Sequence, residues 1–342
     1  MSEARIQPNR NAEYVIGIDL GGTNVRSAVV SRDEKIVARH EVPSDAEAGV
    51  THTVSRIIES VHGAIEQAGI TLENIGAVGI AVPGHIDVPA GRVVWAPNFG
   101  ETKGGSFVPY KDIPLRDLIE AQLNLSVTMD NDANVAALGE FRYGAGRGTR
   151  HLVMFTLGTG IGGGIIVEGE VLRGATGGAA EVGHIIIADG VGGSRTGAHG
   201  RLEGLAQRDA ITERAALKME SGRDTSLWSV IDGPEALTQH LSPANIDEAA
   251  DNGDVLAIEV MQETGHYVGL GIASMINVFN PEVFVIGGKI SRSETLFAAA
   301  LRTAKASSIG SIYNAAKIVR AELGDDAGIM GAAELAWRQT KG

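Results

Sequence analysis

Short apolar runs rich in β-branched residues recur along this chain, each ended by glycine or a small polar residue, and read as buried strands. Tyr14-Val-Ile-Gly-Ile-Asp19 is the first. Gly21-Gly22-Thr23-Asn24 punctuates it, Val25 to Val30 returns as a second strand, and Lys35 to Val42 alternates as a third. Between Val50 and Ala68 the period becomes helical, with Ile57, Ile58, Val61 and Ile65 on one face. Ile75 to Val82 is another buried strand, closed by Pro83-Gly84. Leu115 to Leu123 reads as a helix. Val127 to Asp130 is a short strand that leads through Asn131-Asp132-Ala133-Asn134 into a helix ending at Tyr143.

The pattern then starts again. His151 to Thr156 is a strand, Gly158-Thr159-Gly160 a turn, Gly163 to Val167 the returning strand, and Val171-Leu172 a short third one. Helices dominate from Leu202 to Ala273. Val283 to Ile286, closed by Gly287-Gly288, and Lys317 to Ala321 are late strands, and a helix from Ala327 to Arg338 ends the pattern. A strand–turn–strand unit with a glycine–threonine turn opens both halves, which reads as a structural duplication. The fold class that follows is α/β, with two similar domains and a cleft between them. The boundary is expected within 130–149, where Gly144-Ala-Gly-Arg-Gly148 has the composition of a flexible connection.

Composition narrows the chemistry. A chain of 342 residues exceeds most single cores, in line with two domains. The net charge of −13 argues against a nucleic-acid partner, whose phosphates require basic patches. With no cysteine there are no disulfides, iron–sulfur clusters or thiol chemistry, and only His, Asp and Glu remain as metal ligands. No run approaches the roughly 18 apolar residues of a membrane span. Met1 to Ala12 is polar, lacks a signal-peptide core and reads as a frayed tail, so the cytoplasm is the expected compartment.

Four segments carry candidate chemistry. In Asp19-Leu-Gly-Gly-Thr-Asn24 a hairpin turn of small residues exposes N–H groups that can hold phosphate oxygens, and Asp19 can hold Mg²⁺ through water; an ordinary hairpin explains the same residues. Thr156-Leu-Gly-Thr-Gly160 is a second such turn. Gly158, Gly160 and Gly163 have dinucleotide-site spacing, but a β-prone run follows them where that site needs a helix. In Asn131-Asp132-Ala133-Asn134 one residue can serve as a helix cap, while Asp132 can take a proton from a sugar hydroxyl that Asn131 orients. Glu181 and His184 are spaced to share a face and suited to bonding hydroxyls. Glu203, after the Gly190–Gly200 stretch, reads by itself as a solvated helix residue.

Together these segments resemble the ROK family of bacterial sugar kinases and regulators over nearly the whole chain, most of all its glucokinase branch. Asp19–Asn24 and Thr156–Gly160 are similar to the family's two phosphate motifs. Asn131–Asn134, followed by Ala137, Gly139 and Glu140, is similar to its catalytic segment. Glu181-x-Gly-His184 looks like its sugar-binding motif, and Gly324-Asp-Asp-Ala-Gly328 like its C-terminal one. The resemblance implies two ribonuclease-H-like domains of the actin/hexokinase type, 13–130 plus a C-terminal helix at 325–342, and 131–324. It implies ATP with Mg²⁺, and phosphorylation of a hexose at its 6-hydroxyl, glucose first. Asp132 would be the general base; Asn131, Glu181, His184 and Glu203 would bind the sugar; and Asp19, Gly21, Gly22, Thr23, Asn24, Thr156, Gly158, Thr159 and Gly160 would line the phosphates. Gly287 and Gly288 would lie beside the adenosine, and a homodimer or homotetramer is implied.

One departure stands out. The family's zinc motif, C-x-C-G-x-x-G-C-x-E, whose three Cys join the His of E-x-G-H around the metal, reads here Ser194-Arg-Thr196-Gly197-Ala-His199-Gly200-Arg201-Leu-Glu203. Ser, Thr and Arg replace the three thiolates, so no structural zinc is expected, and hydrogen bonds or an Arg201 ion pair are expected to hold this loop. The alternatives are kinases for N-acetylglucosamine, N-acetylmannosamine or fructose, a polyphosphate donor, and a sugar-sensing regulator or kinase-dead sugar binder. The regulators' added helix-turn-helix finds no segment before Tyr14. Gly100 to Phe107 is an insertion that reads as a lid or a loop.

Overall fold

The computed structural model describes residues 5–189, 199–231 and 237–341. It divides into two compact units, residues 1–148 with 171–179 and 325–342, and residues 149–170 with 180–324. In the first lie β1 (Tyr14–Leu20), β2 (Asn24–Ser31), β3 (Ile36–Pro43), α1 (Val50–Ala68) and β4 (Ile75–Val82). They are followed by β5 (His85–Asp87), β6 (Arg92–Lys103), β7 (Ser106–Ile113), α2 (Leu115–Leu123), β8 (Val127–Asn131) and α3 (Asp132–Tyr143). The second holds β9 (Leu152–Leu157), β10 (Ile161–Val167), the start of β11 (Glu170–Val171), α4 (Leu202–Ala206), α5 (Arg208–Glu220), α6 (Leu237–His240) and α7 (Pro243–Asp251). It continues with α8 (Val255–Phe279), β12 (Val283–Gly287), α9 (Glu294–Ser307), α10 (Gly310–Ala315) and β13 (Lys317–Arg320). The last helix, α11 (Ala327–Lys341), returns to the first unit.

Both units are built on a five-stranded sheet of one topology. The orders are β3-β2-β1-β4-β8 and β11-β10-β9-β12-β13. In each, a hairpin of antiparallel strands is extended on one side by parallel strands. The duplication legible in the strand–turn–strand pattern is therefore real in three dimensions.

Why β1 and β4 read as unbroken apolar runs is clear from what covers them. Ile16, Ile18, Val78 and Ile80 join Ile57, Val61, Leu115 and Ile119 in one buried cluster, so α1 and α2 lie over that face. On the opposite face Gly17 and Gly79 meet α11: a methyl group at Gly17 would fall 2.3 Å from the Ile329 carbonyl oxygen, and one at Gly79 would fall 1.8 Å from that of Ala332. The same helix touches α3 backbone to backbone, since a methyl on Gly139 would lie 2.3 Å from the Ala327 oxygen and one on Gly331 1.8 Å from that of Val135. Beside this seam Tyr143 donates its hydroxyl to the buried Glu334 at 2.8 Å, and burial together with that carboxylate pushes the phenol well above its ordinary pKa.

Several expectations need correction. The units divide after Gly148, inside the expected 130–149 but past the 130/131 division that the resemblance implies, because α3 packs on α11 and so belongs to the first unit. Gly144–Gly148 is a fastened turn rather than a flexible connection: the Gly144 and Gly146 N–H groups donate to the Glu140 carbonyl, and that of Ala145 to its carboxylate. Residues 5–12 are held as well, with Asn9 N–H donating to Gly76 at 2.9 Å and Arg32 to Ala12. Gly100–Phe107 is not an irregular loop but the end of the β6–β7 hairpin, turned at Gly104 and Gly105 with φ of +59° and +82°. Such angles suit a tight hairpin turn and only glycine adopts both readily. Among the described residues no helix is long and apolar enough to cross a membrane.

Gly331→Ala is expected to destabilise the protein by about 3 kcal/mol through overpacking of the α3–α11 seam. A thermal melt would show it, and an unchanged midpoint would mean the two helices are not held at this spacing.

Candidate active site

In the first unit, β1 and β2 are joined by a turn closed by a 2.9 Å bond from Gly21 N–H to the Asn24 carbonyl. No protein atom comes within 4 Å of where a side chain on Gly22 would begin, so the turn is open to close approach. Asp19 ends β1, paired with Arg26 through Oδ2 and lying against Gly328 in the first turn of α11, where a methyl would come 3.1 Å from that oxygen. Its Oδ1 has no hydrogen-bonding partner among the described residues. One free carboxylate oxygen beside an open turn fits a hydrated Mg²⁺.

Asn131 and Asp132 form the junction of β8 and α3. Asn131 is the helix cap: its Oδ1 accepts from the N–H groups of Ala133 and Asn134, and its Nδ2 donates to Gly84 at 3.0 Å. That leaves a single N–H of its amide for a ligand. Asp132 begins the helix, exposed, with Oδ1 accepting from Ala133 N–H at 2.8 Å. It stands at the helix N-terminus, and its ionised form is the one able to accept a proton.

Sequence reasoning missed what fixes this junction. Asp130 is 1% exposed and accepts from Asn131 N–H, from the Asn134 amide and, at 2.7 Å, from Arg173 Nε. A carboxylate within a buried strand was the available signal, since it requires a partner. Arg173, far along the chain on the segment 171–179, could not be assigned to it from sequence.

In the second unit the β9–β10 turn is closed from Gly158 N–H to the Gly160 carbonyl at 3.0 Å, and Arg208 N–H donates to Gly158. Thr156 lies on β9 beside it, and Thr159 is exposed at its tip. Glu203, on α4, reaches this turn: its Oε2 accepts from Ile161 N–H at 2.9 Å and would lie 2.6 Å from a methyl on Gly160. Gly183, between Glu181 and His184, fits against the Ile161 carbonyl and the Glu203 side chain. The segment 181–184 and the β9–β10 turn are thus one packed assembly with Glu203 at its centre. Gly287 and Gly288 end β12 close to the same turn, and Gly288, at φ +85°, leaves no room for a side chain against Leu157.

Glu181 and His184 are exposed, with His184 Nε2 3.9 Å from Glu181 Oε2. Arg201 Nη1 lies 3.2 Å from His184 Nδ1. Ile186 pairs with Arg201, and Ile187 N–H donates to the Gly200 carbonyl, so the two ends of the 189–199 segment are tied together. Ser194, Thr196 and Gly197 lie outside the described residues. The donor set does not suit the zinc of the related motif: the chain has no thiolate, and a guanidinium lies against Nδ1 of His184.

Arg173→Ala would leave Asp130 buried without its cation, at a cost of about 1–3 kcal/mol. Urea denaturation should show that loss, and Arg173→Lys should recover part of it.

Residues 15–339 match the ROK family profile. A glucokinase of Halalkalibacterium halodurans is 32% identical over 328 residues, covering 95% of this chain and 96% of that protein. The crystal structure of a ROK family glucokinase from Streptomyces griseus in complex with glucose and AMPPNP matches with a TM-score of 0.77 at 32% identity, over 95% of this chain and 99% of that one. A xylose repressor of Caldicellulosiruptor bescii is 29% identical over 334 residues, 95% of this chain and 78% of the repressor. A match of this extent means that the chain belongs to the ROK family.

Proposed function

We propose that this protein transfers the γ-phosphoryl group of ATP to the 6-hydroxyl of a hexose, with glucose as the preferred acceptor. The observation that carries the reading is one open glycine–threonine turn at the same position of both sheets, in a chain where an exposed carboxylate, Asp132, heads α3. Phosphoryl transfer asks a protein mainly for alignment and charge neutralisation. The N–H groups of Gly21–Thr23 and Gly158–Gly160 would offset phosphate charge, and Gly287-Gly288 would lie beside the adenosine. Mg²⁺, held through water near Asp19, would supply further neutralisation when bound.

Asp132 would take the proton of the attacking hydroxyl, with Asn131 holding the sugar through its remaining amide N–H. Glu181, His184 and Glu203 would bind the other hydroxyls. Glucose is favoured by the likeness to glucokinases across nearly the full length of both chains. A sugar-sensing role is the second reading, supported by the likeness to a xylose repressor.

An ADP-release assay with Mg-ATP against glucose, fructose, mannose and the N-acetyl sugars tests the proposal. Turnover on glucose supports it, turnover on an acetamido sugar changes the acceptor, and sugar binding without turnover establishes the second reading. Asp132→Asn is expected to lower kcat about 10²–10⁴-fold while sugar affinity persists; near-normal turnover would remove Asp132 from the role of base. Because Glu203 is bonded to the second turn, Glu203→Ala should raise KM for ATP as well as for sugar, each about tenfold. Glu181→Ala should raise the sugar KM alone.

A further inference from the structure

Arg201 stands where the related zinc motif has its third cysteine, and its guanidinium meets the His184 ring. A guanidinium has only donors, so at 3.2 Å from Nδ1 it can bond only to a lone pair on that nitrogen. That contact calls for the tautomer whose proton is on Nε2. Arg201 is itself held in place: its backbone pairs with Ile186, and the next residue, Leu202, donates its N–H to Ile185 at 3.0 Å. Arg201 and His184 thus sit on two short antiparallel segments whose register fixes the contact.

We propose that Arg201 is a positioning residue that replaces a metal ion at His184, fixing the Nε2–H tautomer and aiming that N–H as a donor. This rests on the kinase reading for the identity of what it meets. Nε2 lies 3.9 Å from Glu181 Oε2, beyond hydrogen-bond reach. A single hydroxyl fits between them, accepting from Nε2–H and donating to the carboxylate. Reversing the tautomer would place a lone pair opposite a carboxylate and leave that hydroxyl without a donor. The arrangement selects a group that both donates and accepts, as a sugar hydroxyl does, and it needs no metal.

Nitrogen NMR of protein labelled at histidine tests the tautomer directly, with the His184 signals assigned by their loss in His184→Gln. The expected spectrum has an unprotonated Nδ1 and a protonated Nε2 at His184, and metal analysis of the purified protein finds zinc well below one per chain. Arg201→Met is expected to mix the two tautomers and raise the sugar KM about tenfold, with kcat and the KM for ATP little changed. Arg201→Lys, which keeps a donor, should restore much of the loss and guards against misreading a misfolded variant. A proton on Nδ1 in the unaltered protein, or stoichiometric zinc, would overturn the proposal. Because tautomer and metal content are read without turnover, an inactive protein with the expected spectrum would count against the kinase reading alone. An active one with the wrong tautomer would count against Arg201 alone.

Discussion

Helix α11 lies closer to its neighbours than any side chain would permit, and the first unit depends on that contact. Gly17 and Gly79 on the sheet, Gly139 on α3 and Gly331 on the helix itself each give up a Cβ so that backbone can meet backbone. Glycine is costly in helices and strands, by roughly 0.5–1 kcal/mol relative to alanine, so four at one seam mark a position that packing demands. The seam places the start of α11 against Asp19 through Gly328, and holds α3 with Asp132 at its head. A segment at the far end of the sequence thereby fixes both the end of β1 and the candidate base.

Burial without side chains is complemented by buried charge. Asp130, almost wholly enclosed, gathers the Asn131 N–H, the Asn134 amide and Arg173. A buried carboxylate tolerates no loose geometry, because each unmet bond costs the full desolvation of the group. Its partners therefore define the corner from which Asn131 caps the helix and Asp132 projects. Rigidity next to the proposed chemistry is what proximity catalysis needs.

In the second unit Glu203 does for its turn what the glycine seam does for the first. It bonds Ile161 N–H, packs beside Gly160 and rests on Gly183. The segment bearing Glu181 and His184 and the turn Gly158–Gly160 are therefore packed together through one side chain. With the thiolates of the related motif gone, the loop after His184 is tied by backbone pairing across Ile186 and Arg201 and by the Arg201 contact to the imidazole. A hydrogen-bonded cation on one side chain stands in a frame that elsewhere belongs to a metal.

Much of this was legible along the chain. Helices α1 and α2 and strand β4 have the bounds their periodicity predicts, because each buries a face or a whole strand and so must be apolar in register. The repeated strand–turn–strand pattern determined that two similar sheets would form, and every segment with candidate chemistry was visible as an island of small or polar residues among apolar runs. The β5–β6–β7 sheet was not, since β6 and β7 carry prolines and expose most of their residues, which erases the alternation. Nor could sequence reveal that Asp130 is met by Arg173, that Glu203 belongs to the second turn, or that Arg201 faces His184. Local pattern records which faces are buried; which charged group meets which is decided by strand order and helix seating, between residues whose separation in sequence carries no trace of their contact.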